Sequence, residues 1–242
     1  MGNACFGGFL AQKRKGGKIE MGYWAIRGLG APLRMMLEYT GADYTDFQVR
    51  EPGEWFGSKK EAVKAKNPLA NLPYILDGNV CVCQTNACFL YLGDRFGLNG
   101  KTSADRLSTV QLVEEIYDLR NMVIDLVYPF KDVCRDQREH DSKLKKHLEE
   151  GVKANYSKLN AMVVGPFCLG NALSTADFHM FEMLDQHEHM YSKMHIPSSL
   201  GEFPALKTLH GSVKALPQLA KYFASDSYKL PCNNPIANTY VQ

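Results

Sequence analysis

Residues 18–49 read KIEMGYWAIRGLGAPLRMMLEYTGADYTDFQV. Lys18 to Trp24 is a short run of mixed polarity that suits a strand. The turn Arg27-Gly28-Leu29-Gly30 follows it. Leu33, Met36, Leu37 and Thr40 then recur at helical spacing, and Gly41 is placed to stop that helix. Tyr44 to Val49 alternates and is rich in β-formers, so it reads as a second strand.

Working outward, Trp55 to Lys66 has the pattern of a short helix. Pro73 to Leu76 and Val80 to Cys83 flank Asp77-Gly78-Asn79, a strong hairpin signal. Residues 85–96 look helical and end at Gly97. After Gly100 the pattern is wholly helical. Leu112, Ile116, Leu119, Val123 and Val127 follow one stripe, and Leu144, Leu148, Val152, Tyr156, Leu159 and Val163 follow another. Ser174 with Asp177 resembles a capping box with Asp in place of Glu. Pro204 and Pro217 mark further helix starts. The expected division is a tail at 1–17, an α/β unit at 18–98 and an all-helical unit at 103–242, with the boundary at Leu98–Ser103.

Composition narrows the class. The chain has 242 residues, 45% of them apolar, and a net charge of +2. That charge gives no case for nucleic acid as a partner. The tail holds Lys13, Arg14 and Lys15, with Lys18 just beyond. Setting these aside leaves 24 basic against 26 acidic residues, so the body is slightly acidic. Seven cysteines are scattered without a CxxC pair, which reads as free thiols in a reducing compartment. Cys81-Val-Cys83 is too close for the usual zinc knuckle. His187 and His189, two apart, point apart on a helix. No metal is expected. Met180, Met183 and Met190 read as core. The Gly-rich tail lacks the GK[ST] phosphate loop, and no run is long and apolar enough for a membrane span.

Gly22-Tyr23-Trp24-Ala25-Ile26-Arg27-Gly28-Leu29, the helix end Leu37-Glu38-Tyr39-Thr40, Asn71-Leu72-Pro73-Tyr74, Gln84-Thr85-Asn86-Ala87 and Gly170…Ser174-x-x-Asp177-Phe178 occur in this order. Together they resemble the cytosolic glutathione transferases, most nearly the mu class, with the sigma class as a near relative. The resemblance runs from about Ile19 to Pro231. It implies a thioredoxin-like N-terminal domain with a mixed four-stranded sheet and an all-α C-terminal domain. It further implies glutathione as co-substrate, a homodimer, a cytoplasmic setting, and detoxification of small hydrophobic electrophiles.

The chemistry such a protein needs is a thiolate, because a thiol is a poor nucleophile and is only a few per cent ionised at neutral pH. A phenol O–H aimed at the sulfur favours the anion. Tyr23, at a strand end, is the candidate, and the resemblance implies that catalytic role. In the same way Leu72-Pro73 is expected to carry a cis bond beside the cysteinyl part of glutathione. Gln84 and Thr85 open a helix whose free N–H groups suit the γ-glutamyl carboxylate. Trp24, Leu29 and Asn71 are further implied glutathione contacts. Trp55 and Lys59, four apart on the expected helix, are implied partners of the glycyl carboxylate. That segment departs from the mu pattern in length, and Arg50 is the arginine nearest to it. Asp118 and Tyr128 are expected ten residues apart on one long helix. Asp118 is assigned by the resemblance to the amine of the partner subunit's glutathione, and Tyr128, with Leu29, to the electrophile pocket.

Two alternatives stand beside conjugation. One is a glutathione-dependent isomerase or peroxidase of the sigma kind. The other is a non-catalytic structural or ligand-binding dimer held at a membrane. The start Met-Gly-Asn-Ala-Cys invites myristoylation of Gly2 and palmitoylation of Cys5, which with the basic tail would give a peripheral anchor. Phe6 stands where Ser or Thr is usual, so a plain tail is the competing reading.

Overall fold

The structure, a computed structural model, describes residues 18–128 and 136–234. The tail, with Gly2 and Cys5, lies outside the described residues. Strand β1 (Ile19–Trp24) leads through the turn to α1 (Gly30–Thr40) and β2 (Tyr44–Val49). Gly41 ends α1 at φ +63°, a left-handed conformation that costs glycine little. Then come α2 (Pro52–Glu54), a π-helical turn at Trp55–Lys59, and α3 (Lys60–Lys64). Strands β3 (Tyr74–Asp77) and β4 (Val80–Cys83) form the hairpin, and α4 (Thr85–Phe96) closes the unit.

The four-stranded sheet has the order β2-β1-β3-β4. β1 runs parallel to β2 and antiparallel to β3, so the sheet is mixed as the resemblance implied. Alternation along β1 separates its two faces. Ile19, Met21 and Tyr23 enter the main core, which continues without a break into the helical domain. The other face packs a smaller cluster of Val49, Trp55, Val63, Tyr74 and Cys83 under α3. Gly22 makes room there: a Cβ on it would lie 2.1 Å from the Tyr74 ring.

The helical domain contains α5 (Ser103–Val127), α6 (Gln137–Lys146), a π-helical turn (His147–Gly151), α7 (Val152–Met162), α8 (Thr175–Lys193), α9 (Pro204–Lys214) and α10 (Ala220–Ala224). The Ser174–Asp177 capping box forms, and Asp177 also accepts the Cys168 N–H at 2.7 Å. The junction before α5 is packed. Thr175 N–H donates to Leu98 O at 2.8 Å, and its hydroxyl donates to Asn99 Oδ1 at 2.8 Å.

Two helix expectations need correction. The segment around Trp55 is not one α-helix: it begins at Pro52, capped by Glu51 and Glu54, and breaks at Gly57, whose φ and ψ are −78° and −132°. Tyr128 does not lie on the long helix. Val127 is its last residue, and Tyr128 is already extended at φ −99°, ψ 127°, so the helical spacing from Asp118 does not apply to it.

Candidate active site

Pairing places three sequence motifs at one end of the sheet. Gly22 faces Tyr74 across β1 and β3, and Tyr74 faces Cys83 across β3 and β4. Tyr23, Pro73 and Gln84 are each the next residue beyond that row. At about 4.8 Å per strand spacing, the three lie within roughly 10 Å of one another along the sheet edge.

Tyr23 is 6% exposed, and its hydroxyl accepts the Leu29 N–H at 3.2 Å. That bond leaves the phenol proton free to be given elsewhere. Burial pushes the phenol up to about 12, with the Arg120 charge and the Leu29 bond opposing. It is therefore protonated throughout the neutral range and can act as a donor. Two glycines clear the space around the ring. A Cβ on Gly28, at φ +40°, would come to 3.0 Å from the Tyr23 hydroxyl, and one on Gly30 to 2.5 Å from the ring.

The turn that carries these glycines is held from several sides. Arg34 Nη1 donates to Ile26 O at 2.7 Å and its Nε to Asp46 at 2.8 Å. Arg27 N–H donates to Pro231 O at 2.8 Å, and Gly28 N–H to Cys232 O at 3.1 Å. The Arg27 guanidinium makes two bonds to Glu182, at 3.0 and 2.8 Å, and one to Asp185 at 2.6 Å. Burial alone would raise the Asp185 carboxyl, but bonds from His210, Arg27 and Tyr228 hold it well below the usual carboxylate range. Glu182 and Asp185 lie on α8, so the turn is clamped to the helical domain.

Leu72–Pro73 is cis, as the resemblance implied. Asn71 is exposed, and its Oδ1 accepts the Leu72 N–H at 2.9 Å. Gln84 is exposed at φ +76°, ψ 131°, a rare conformation for a residue with a side chain. Thr85, 8% exposed, opens α4, and no side chain caps that helix. Its first N–H groups therefore face the same sheet end as Tyr23. Leu29 is 8% exposed and packs in the core with Tyr23, while Trp24 lies on the opposite face beside Phe56, ring centroids 6.3 Å apart.

From the helical domain, Tyr128 is buried just beyond α5 and accepts the Asn234 N–H at 3.1 Å. It is close enough to act on the ionisation of Tyr23. Asp118 is exposed on α5. Trp55 packs under the last row at the sheet end, whereas Lys59 is held further along β1. Trp55 stacks on Tyr74 with centroids 5.8 Å apart, and the Lys59 ammonium pairs with Glu20 at 2.7 Å over the Phe47 ring. Glu20 is three residues before Tyr23 on β1, about 10 Å away and on the other face.

Sequence reasoning missed Arg27, Arg120 and the segment 231–234. Arg120 is buried on α5 and donates to Gln186 and Asn233, each at 2.8 Å. Arg27 stood inside the quoted motif, but nothing local announced acids 155 and 158 residues away. Among the described residues no group of three or more His, Cys, Asp or Glu could hold a metal, and no helix is long and apolar enough to cross a membrane.

A thioredoxin-like sheet with a buried, proton-bearing tyrosine at its end, joined to a helical bundle, matches known families directly. Residues 19–94 match the glutathione S-transferase N-terminal domain and residues 117–226 the glutathione S-transferase C-terminal domain. The chain belongs to the glutathione S-transferase family. It is 31% identical over 226 residues to glutathione S-transferase Mu 3 of Homo sapiens, covering 90% of this chain and 94% of that protein. It is 29% identical to glutathione S-transferase Mu 1 of Oryctolagus cuniculus over 87% of this chain and 92% of that one. Among solved structures, the Pi-class enzyme of Onchocerca volvulus superposes with TM-score 0.74 at 21% identity, covering 92% of this chain and all of that one. The glutathione S-transferase Blo t 8 gives TM-score 0.76 at 23% identity, covering 90% and 98%. At these identities the structures speak for the fold alone.

Proposed function

We propose that the chain transfers glutathione to small hydrophobic electrophiles, with Tyr23 donating its O–H to the glutathione sulfur. The observation that carries this is the Leu29 N–H bonded to the Tyr23 oxygen. It occupies an acceptor site of the phenol, orients the ring, and leaves the proton for the thiolate. One charge-assisted bond of this kind is worth about 1.5–3 kcal/mol, or roughly one to two units on the thiol.

The γ-glutamyl carboxylate takes the uncapped start of α4, with Thr85 and Gln84 beside it. The Leu72 main chain meets the cysteinyl part, and Asn71 and Trp24 flank it. Leu29 and Tyr128 form the electrophile wall, and Tyr128 gives its proton to charge developing in the transition state. In a homodimer, Asp118 takes the amine of the glutathione bound by the partner subunit. The glycyl carboxylate shares the Lys59 ammonium with Glu20, so this end adds least to binding.

The test is a chlorodinitrobenzene-type assay across pH with wild type and Tyr23→Phe. Wild-type kcat/KM rises with pH as the bound thiol ionises, with a midpoint below the free-thiol value of about 8.5. In the variant that midpoint moves up and kcat/KM near neutrality falls about 10- to 100-fold. An unchanged profile would remove Tyr23 from the mechanism.

The chain acts in the cytoplasm, and its tail adds a peripheral membrane anchor through acylated Gly2 and Cys5. A myristate analogue should label wild type and not Gly2→Ala. An unlabelled wild type ends the anchor.

A further inference from the structure

Strand β4 has the sequence Val80-Cys81-Val82-Cys83 and lies at the edge of the sheet. Side chains two apart on a strand share a face. Both thiols accordingly lie on the face covered by α3: Cys83 belongs to the small cluster of Val49, Trp55, Val63 and Tyr74, and Cys81 packs against it. Two positions apart on one strand, they stand side by side on that face. Cys81 is half-buried and Cys83 is 4% exposed. Among the described residues no strand pairs beyond β4, whose Cys81 carbonyl accepts from Asn67 at 3.0 Å, and the half-buried Cys81 is the member of the pair open to approach. The other described cysteines lie off that face, Cys88 adjoining the pair from the opposite side of β4. Cys88 lies behind the sheet with its thiol donating to Val82 O at 3.5 Å, Cys168 is buried beside Asp177, and Cys232 lies near Arg27.

We propose that Cys81 and Cys83 form a vicinal dithiol site that chelates trivalent arsenicals and like soft thiophilic centres. Soft thiol ligands select such acceptors. Successive same-face residues on a strand are about 6.6–6.8 Å apart at Cα, the outer limit for a direct disulfide. One arsenic between the sulfurs lengthens the bridge and relieves that limit. The balance is closed. A trivalent arsenical carrying two hydroxyls meets two thiols, two As–O bonds break, two As–S bonds form, and each thiol proton leaves with a hydroxide as water. Arsenic stays trivalent and no oxidant is needed. Burial and the neighbouring Cys83 push the Cys81 thiol up to about 11. That slows reactions needing a free thiolate, but the arsenical's own hydroxide removes the proton here.

The experiment titrates full-length protein with phenylarsine oxide in excess mercaptoethanol, a competing monothiol. After the mercaptoethanol is removed by desalting, free protein thiols are counted and the adduct is located by peptide mass. Wild type should lose two thiols per arsenic retained, both on the peptide carrying residues 81 and 83. Cys81→Ser and Cys83→Ser should each weaken retention about 100-fold, the usual gain from closing a second bond within one molecule. Cys88→Ser should bind as wild type does. Far-UV circular dichroism and a urea midpoint confirm that each variant is folded. Should a serine variant fail either check, Cys81→Ala or Cys83→Ala replaces it in the same titration. The proposal is overturned if wild type retains no arsenical, if the adduct maps elsewhere, or if a folded single variant at 81 or 83 still holds it.

Discussion

The turn at residues 25–30 and the helical segment at residues 52–64 flank the same sheet and are built in opposite ways. In the turn, Ile26, Arg27, Gly28, Leu29 and Gly30 are all buried. Arg34, Pro231, Cys232 and Glu182 all bond to it. In the helical segment only Trp55 and Val63 are buried, Phe56 is 61% exposed, and the helix breaks at Gly57. Under the proposed function, the contrast fits the chemistry each region would serve. A phenol aimed at a sulfur needs a fixed direction, whereas a charged carboxylate at the far end of a tripeptide can be met by a side chain that adapts.

The largest expected effect tests the rigidity of the turn. Arg27→Met leaves Glu182 buried without its cation and should cost about 3–5 kcal/mol of unfolding free energy in urea at neutral pH. The Asp185 carboxyl is depressed in the folded state, so its contribution is present above the unfolded value of about 3.9 and is lost as pH falls below it. The gap between wild type and variant should therefore narrow in acid. A neutral-pH loss under about 1 kcal/mol, the level of a surface pair, would erase the distinction between the two regions.

A pair of glycine substitutions sharpens it. Gly30→Ala drives a methyl to 2.5 Å from the Tyr23 ring, which should cost about 1–3 kcal/mol as overpacking and lower kcat more than it raises KM. Gly53→Ala meets nothing within 4 Å and should be neutral or stabilising by up to about 1 kcal/mol. Equal effects in thermal melts would contradict the comparison. The smallest effect belongs to Lys59→Met. Its pair with Glu20 is partly solvated, so stability should change by under about 1 kcal/mol. KM for glutathione should rise less than about fivefold, the same energy expressed as affinity. A hundredfold rise would move the glycyl carboxylate firmly onto Lys59.

The strands, α1, α4 and the Ser174 cap were legible because each announces itself within a few residues, by alternation, by helical spacing, or by a glycine in the left-handed region. Tyr23, Leu72-Pro73 and Gln84-Thr85 were legible as motifs, and strand register then brings them to one edge. Three things were missed. The break falls at Gly57, a residue that weakens a helix, but the apolar spacing runs through it. The end of α5 at Val127 is signalled by Pro129, which biases Tyr128 away from helix, but the apolar spacing runs on past it. The third is long-range polar pairing. His187 was weighed against His189, but it meets His147 at 3.2 Å and Tyr156 at 3.1 Å, on two other elements. Burial pushes His147 down to about 4, which keeps it uncharged in that contact.

The two amide protons of the turn are received by carbonyls about two hundred positions later in the chain. A polypeptide emerging from the ribosome can form its sheet, its hairpin and most of its helices before Pro231 and Cys232 exist outside the exit tunnel. The turn beside Tyr23 then still lacks its last two acceptors. The turn is therefore completed only once residues 231 and 232 have been made, and a stop just upstream of Pro231 would release a chain with nearly all of the described core in place and the edge beside Tyr23 unfinished.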